Sequence, residues 1–111
     1  YQDRYLDAAG CPANLMEVLA VTHVFERRAF RQYSDHARRA GVHPDVRSTI
    51  DALIEDERRH LAWVRRALRE CEAEYGPAEV RAAVARYAAA DEEIHRDTLE
   101  EAAARAAATR E

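Results

Sequence analysis

A carboxylate and an imidazole lie one helical turn apart in the middle of the chain, within the stretch LIEDERRHLAW at residues 53–63. Glu57 and His60 are three residues apart, so on a helix both side chains project from the same face. Glu26 lies 15 residues before Gly41, and Glu57 lies 16 residues after it. A chain reversal at Gly41 therefore brings Glu26 to the level of the other two. Two carboxylates and one imidazole at one level form a candidate site for a divalent metal ion.

The apolar residues around these three groups place them in stripes that face inward. Steps of four and three residues define such a stripe on an amphipathic helix. The predicted stripes are Leu15, Leu19, Thr22, Glu26, Ala29, Tyr33 and Ala37 on one helix, and Val46, Ile50, Leu53, Glu57, His60, Val64, Ala67 and Cys71 on the next. Because an ionised carboxylate in a dry interior is strongly unfavourable unless it is compensated, a bound metal ion is the favoured interpretation.

Other interpretations of these residues stay open. A Glu–His–Glu hydrogen-bonded network would satisfy the buried groups without a metal, and a different helical phase would leave all three in solvent. A second Glu-x-x-His pair, Glu92 and His95, lies on a later helix whose apolar stripe contains Asp91 and Ile94. A solvated acidic face is the simpler interpretation of that pair, and ligation of the same metal centre within one chain is the alternative.

Three long helices must position these groups. The chain has only three glycines and three prolines and is rich in alanine, arginine, glutamate and leucine, a composition typical of helices. The predicted single domain, 1–111, contains helices at about 12–40, 44–75 and 77–109. Prolines near the starts and glycines at the ends support these limits. Because short connections make neighbouring helices antiparallel, the first two form a hairpin that needs further helices to cover its apolar face.

The overall charge and the cysteines exclude several classes of function. With 17 basic and 21 acidic residues the formal net charge is −4, which argues against nucleic acid as the main partner. No apolar run is long enough for a membrane span. Cys11 and Cys71 form no C-x-x-C motif, so a reducing, cytoplasmic setting is expected. The arginine pairs at 27–28, 38–39, 58–59 and 65–66 are predicted to face outward and pair with nearby acids.

The motifs resemble those of the ferritin-like superfamily of carboxylate-bridged di-iron proteins. In these four-helix bundles two helices each give one Glu and two each give Glu-x-x-His. Glu26 is similar to the single Glu, and Glu57 with His60 resemble the Glu-x-x-His pair, in the sequence EDERRH. Tyr33, seven residues after Glu26, resembles the tyrosine two turns beyond the first ligand in ferritins. The resemblance covers about residues 14–72 and implies an all-α, ferritin-like fold.

The first two helices supply half of such a site, which resembles the encapsulated-ferritin branch, where dimerisation completes it. The resemblance implies a homodimer or higher homo-oligomer, a four-helix bundle formed by two hairpins, and a di-iron centre, with manganese as an alternative metal. The implied activity is a ferroxidase that oxidises Fe(II) with oxygen or peroxide for iron storage or detoxification. Tyr33 is its candidate catalytic residue. An encapsulin shell is a candidate partner and compartment, although no cargo-targeting tail is visible before Glu111.

Two other functions are compatible with the same residues. A peroxidase of the rubrerythrin type would use the same ligands, with an external electron donor because the chain has no paired C-x-x-C motifs. A metal-free helical dimerisation module would instead use Glu26, Glu57 and His60 as a buried polar network that sets the register of the helices. His23, one turn before Glu26, is expected at the surface or boundary of the bundle, or behind the metal ligands.

Overall fold

Three long helices make up the structure, a computed structural model that describes residues 7–39 and 41–110. They are α1 (Leu15–Ala37), α2 (Pro44–Tyr75) and α3 (Pro77–Arg110). A short helical stretch at residues 7–9 precedes them, and the described part of the chain contains no strand. None of the helices in that part is both long and apolar enough to cross a membrane. The predicted all-α class is confirmed.

Local side-chain chemistry sets the start of α1, three residues later than the sequence analysis predicts. The Asn14 side chain accepts a hydrogen bond from the Glu17 N–H at 2.9 Å, and the Glu17 carboxylate accepts one from the Ala13 N–H at 2.7 Å. Such reciprocal bonds satisfy backbone donors that the first turn of a helix leaves unpaired. The helix therefore begins after Asn14 rather than at Pro12.

The other helix ends follow from a histidine cap and from glycines. The His43 ring accepts a hydrogen bond from the Asp45 N–H at 3.1 Å, and Pro44 occupies the first position of α2. Gly41 and Gly76 have φ values of +82° and +89°. Glycine adopts this left-handed region at little cost, which lets the chain reverse between α1 and α2 and again before α3.

The core lies where α2 joins α3, away from the α1–α2 turn. α1 and α2 run antiparallel, and α3 lies along both, parallel to α1. The core residues are Met16, Leu19, Ala20 and Val24 of α1, Val64 and Leu68 of α2, and Val80, Ala83, Tyr87, Ala90 and Ile94 of α3. Tyr87 is only 1% exposed and is one of the two largest fully buried side chains.

The predicted stripe of α1 is wrong in phase at its start. Leu15 is 67% exposed, whereas Met16, Ala20 and Val24 are buried. The prediction considered only the contact with α2. Because α3 packs against a second side of α1, the buried arc is rotated and widened toward these residues.

The predicted stripe of α2 is only partly buried. Ile50 and Val64 are buried as expected, but Val46 is 48% exposed, Leu53 is 39% exposed, and His60 is also exposed. Within one chain, the buried residues of α3 end at Ile94, so α3 does not cover this part of α2. The hairpin therefore presents an exposed apolar edge near its turn.

Candidate metal centre

Glu26, Glu57 and His60 converge between α1 and α2. Each offers one ligand atom, and these atoms lie within 4.8 Å of one another. Nδ1 of His60 lies 3.9 Å from Oε2 of Glu26. The spacing within α2 puts Glu57 and His60 on one face, and the reversal after Gly41 places Glu26 at the same level. The structure therefore brings together the three residues that the sequence analysis grouped.

The two carboxylates each contain a buried oxygen that lacks a hydrogen-bond partner among the described residues. These atoms are Oε2 of Glu26 and Oε2 of Glu57. A buried anionic oxygen without a partner is destabilising, and a cation compensates it. Carboxylate oxygens with one imidazole nitrogen suit iron or manganese. The residues present therefore fit a metal ion of this kind.

His60 lies at the rim of the group rather than in the interior. Its side chain is 64% exposed, compared with 25% for Glu26. The expected burial of His60 is therefore wrong for the single chain, because no described helix covers this edge of α2.

His95 of α3 faces the same groove as the two carboxylates, but Glu92 does not. The groove, of about 560 Å³, is lined by Phe25, Glu26, Arg28, Ala29, Gln32, Glu57, His95 and Thr98. Glu92 is exposed and lines a neighbouring groove, which His95 also borders. Neither residue belongs to the three-residue group of potential ligands, so their ligation stays a prediction.

Tyr33 lies further along α1. It is half-buried, and its position seven residues after Glu26 corresponds to roughly 10 Å along the helix axis. It is not among the residues that line the groove. Its catalytic role therefore stays a prediction.

A buried ion pair ties α3 to α1 beside the groove, and sequence reasoning missed it. Both Nε and a terminal nitrogen of Arg28 contact Oδ2 of Asp91, whose side chain is only 7% exposed. Asp91 is one turn before His95, so the pair fixes the part of α3 that carries this histidine. An acid within the apolar stripe of α3 was the available signal, but its partner lies 63 residues away.

A second, more exposed pair ties the same two helices nearer the start of α1. Arg86 of α3 lies 2.6 Å from the Glu17 carboxylate. The hydrogen bond from the Ala13 N–H, followed by that from Arg86, lowers the pKa of Glu17 below its usual range. Glu17 therefore serves both as part of the α1 cap and as an anchor for α3.

His23 is buried, contrary to the surface or boundary position expected for it. It is 8% exposed, and its Nε2 accepts a hydrogen bond from Nε of Arg65 at 3.4 Å. The pKa of His23 is lowered, mainly by burial and to a smaller extent by the positive charges of Arg27 and Arg65. The ring is therefore neutral near pH 7, and its buried Nδ1 has no hydrogen-bond partner among the described residues.

Comparison with known proteins identifies a family. The family model described as Rubrerythrin matches residues 17–111, a range that contains Glu26, Glu57 and His60. No curated protein and no solved structure matches the chain.

Proposed function

Because the chain belongs to the rubrerythrin family, a di-iron family of the ferritin-like superfamily, we propose that it binds Fe(II) at Glu26, Glu57 and His60 and oxidises it. The observation that carries this proposal is the pair of buried carboxylate oxygens that accept no hydrogen bond from the described residues and lie level with an imidazole. The role is that of a ferroxidase in iron storage or detoxification.

A second copy of the chain completes the proposed centre. Di-iron centres of this superfamily draw ligands from four helices, and α1 with α2 supply one Glu and one Glu-x-x-His. A two-fold axis through the exposed edge would bring the same set from a partner. Val46, Leu53 and His60 are exposed at seven-residue intervals, so they share one face of α2 that a partner helix could cover. The histidine at the rim would then become enclosed.

The residues of the proposed centre have distinct tasks. The carboxylates supply negative charge that accommodates the change from ferrous to ferric iron, and His60 supplies a neutral nitrogen donor. Dioxygen that accepts one electron from each of two Fe(II) ions, with two protons, leaves as hydrogen peroxide. Tyr33 is proposed to hydrogen-bond a ligand or supply an electron, and His95 is proposed as a further donor from α3.

Aerobic titration with Fe(II), followed in the near ultraviolet, tests this function. We expect saturation at about one Fe(II) per chain, because two hairpins share one pair of metal sites. Oxidation by dioxygen at a rate well above that of the buffer supports a ferroxidase. Rapid turnover with hydrogen peroxide but not with dioxygen would instead identify a peroxidase. A chain that binds no metal would be a helical dimerisation module.

Leu53→Lys is expected to separate the two halves of the centre. A lysine in the proposed interface should weaken dimerisation by ~1.4 kcal/mol or more. The dimer Kd then rises about tenfold or more. Analytical ultracentrifugation should then show a shift toward monomer, and Fe(II) oxidation at the same chain concentration should fall. Leu99→Lys, at an apolar side chain of α3 that is 57% exposed and outside the proposed edge of α2, is the control. Equal dimer fractions in both variants would exclude this edge as the interface.

A further inference from the structure

Four arginines, two from α1 and two from α2, line a cleft between these helices. The cleft has a volume of about 460 Å³, within the range of ~300–1,000 Å³ that is common for small-ligand pockets. Its lining consists of Arg27, Phe30 and Arg31 of α1 and Arg58, Leu61, Ala62 and Arg65 of α2. No acidic residue lines it.

The positive charge in this arginine cleft is largely uncompensated. Arg58 is paired with Glu55 at 2.8 Å, and both side chains are more than half exposed. Arg65 donates its Nε–H to His23, a neutral acceptor. Arg27 and Arg31 form no ion pair with any described residue. The expectation that the arginine pairs bond nearby acids is therefore wrong for Arg27 and Arg65.

Two further observations indicate a concentrated positive field. Arg27 and Arg31 are four residues apart on α1, a spacing at which like charges repel. The charges of Arg27 and Arg65 also contribute to the low pKa of the buried His23 beside them. A bound anion would relieve the repulsion between these arginines.

The arginine cleft is separate from the candidate metal centre. At 100° per residue, Arg27 and Arg31 lie on the side of α1 opposite to Phe25 and Gln32, which line the metal-site groove. On α2, the cleft residues are likewise turned away from the exposed edge that contains Leu53. A second chain docked on that edge therefore leaves the cleft open.

We propose that the arginine cleft binds a small multivalent oxyanion, either inorganic phosphate or a small phosphate ester. Guanidinium groups offer pairs of N–H donors that match phosphate oxygens, and several of them acting together give both charge and direction. Phe30 contributes an apolar surface, with the Arg58 guanidinium 5.9 Å from the ring centroid. This site is independent of the proposed iron chemistry.

Isothermal titration of the iron-free protein with inorganic phosphate, and separately with AMP, tests the proposal at constant ionic strength. We expect saturable binding of one anion per chain, at least tenfold weaker in the variant Arg27→Gln/Arg31→Gln. The control Arg69→Gln/Arg81→Gln, at exposed arginines outside the cleft, should bind as the wild type does. Tighter binding of AMP would identify an ester as the ligand, tighter binding of inorganic phosphate would identify phosphate itself, and equal affinities would show that the cleft recognises only the phosphate group.

Two additional variants keep the result unambiguous. Arg58→Gln changes an exposed side chain and should also weaken anion binding. It tests the proposal even if the double variant Arg27→Gln/Arg31→Gln fails to fold. Glu57→Gln should bind phosphate normally, because Glu57 belongs to the candidate metal centre and does not line the cleft. The absence of saturable binding to either anion, equal weakening in the control, or loss of binding in Glu57→Gln would overturn the proposal.

Discussion

Glu57→Gln is expected to abolish Fe(II) oxidation without unfolding the protein. The substitution keeps the size of the side chain but removes the charge from an oxygen that is buried without a hydrogen-bond partner. Loss of residues that merely support metal ligands reduces activity or affinity by ~10–100-fold, so loss of a ligand should exceed ~100-fold. The measurement is the initial rate of aerobic Fe(II) oxidation in the near ultraviolet.

Thermal unfolding provides a second measurement on the same variant. Without metal, Glu57→Gln should be as stable as the wild type or more stable, because an uncompensated buried charge is removed. With Fe(II) under anaerobic conditions, or with Mn(II), the wild type should gain ~2.7 kcal/mol at a ligand concentration of about 100 times Kd, whereas the variant should gain much less.

A neighbouring glutamate supplies the control for both measurements. Glu55→Gln changes an exposed glutamate on the same helix and should keep the wild-type rate and the metal-linked stabilisation. If Glu57→Gln oxidises Fe(II) as fast as Glu55→Gln does, the assignment of the metal centre is wrong.

Arg28→Met is expected to remove much of the stability of the fold. It leaves the Asp91 carboxylate, 7% exposed, as a buried charge without its arginine. Removal of one partner from a buried pair costs ~3–5 kcal/mol, compared with a total stability of ~5–15 kcal/mol for a typical domain. Chemical denaturation at a fixed chain concentration measures the free energy of unfolding.

The double variant Arg28→Met/Asp91→Leu distinguishes loss of a charge partner from loss of packing. Apolar residues of similar volume often replace a buried ion pair without loss of stability. This variant should therefore recover most of the free energy of unfolding that Arg28→Met loses. Arg38→Met is the matched control, since its pair with Asp35 is 78% and 70% exposed and should contribute less than ~1 kcal/mol. Equal effects of Arg28→Met and Arg38→Met would contradict the role assigned to the buried pair.

Heights along the helices could be predicted from the sequence, whereas rotation about their axes could not. Because the rise per residue is fixed, nearly equal residue counts from the Gly41 turn place Glu26 level with Glu57, and His60 follows one turn later. A shift of one residue in phase, however, rotates a side chain by about 100°. The choice between Leu15 and Met16 as the buried residue therefore required the position of α3.

Long-range pairing explains the other differences. The apolar pattern places Asp91 inside the bundle, but only the packed structure selects Arg28 as its partner. His23 looks like a boundary residue in the sequence, and its burial depends on the tertiary packing around α1. Similarly, neither Arg27 nor Arg65 has an acidic residue three or four positions away on its own helix, and folding places both at a cleft that no acidic residue lines.

The core lies at one end of the bundle, so the two halves of the molecule along the helix axes differ in how much apolar surface they bury. Apart from Ala37 and Ile50, the buried apolar side chains lie in the half where α2 joins α3, and the three potential ligands lie near the border with the other half. An ion held by both α1 and α2 there would cross-link the two helices. Between the ion and the Gly41 turn, few buried apolar side chains join them. Occupancy of the centre would then determine how firmly the turn end of the hairpin is held.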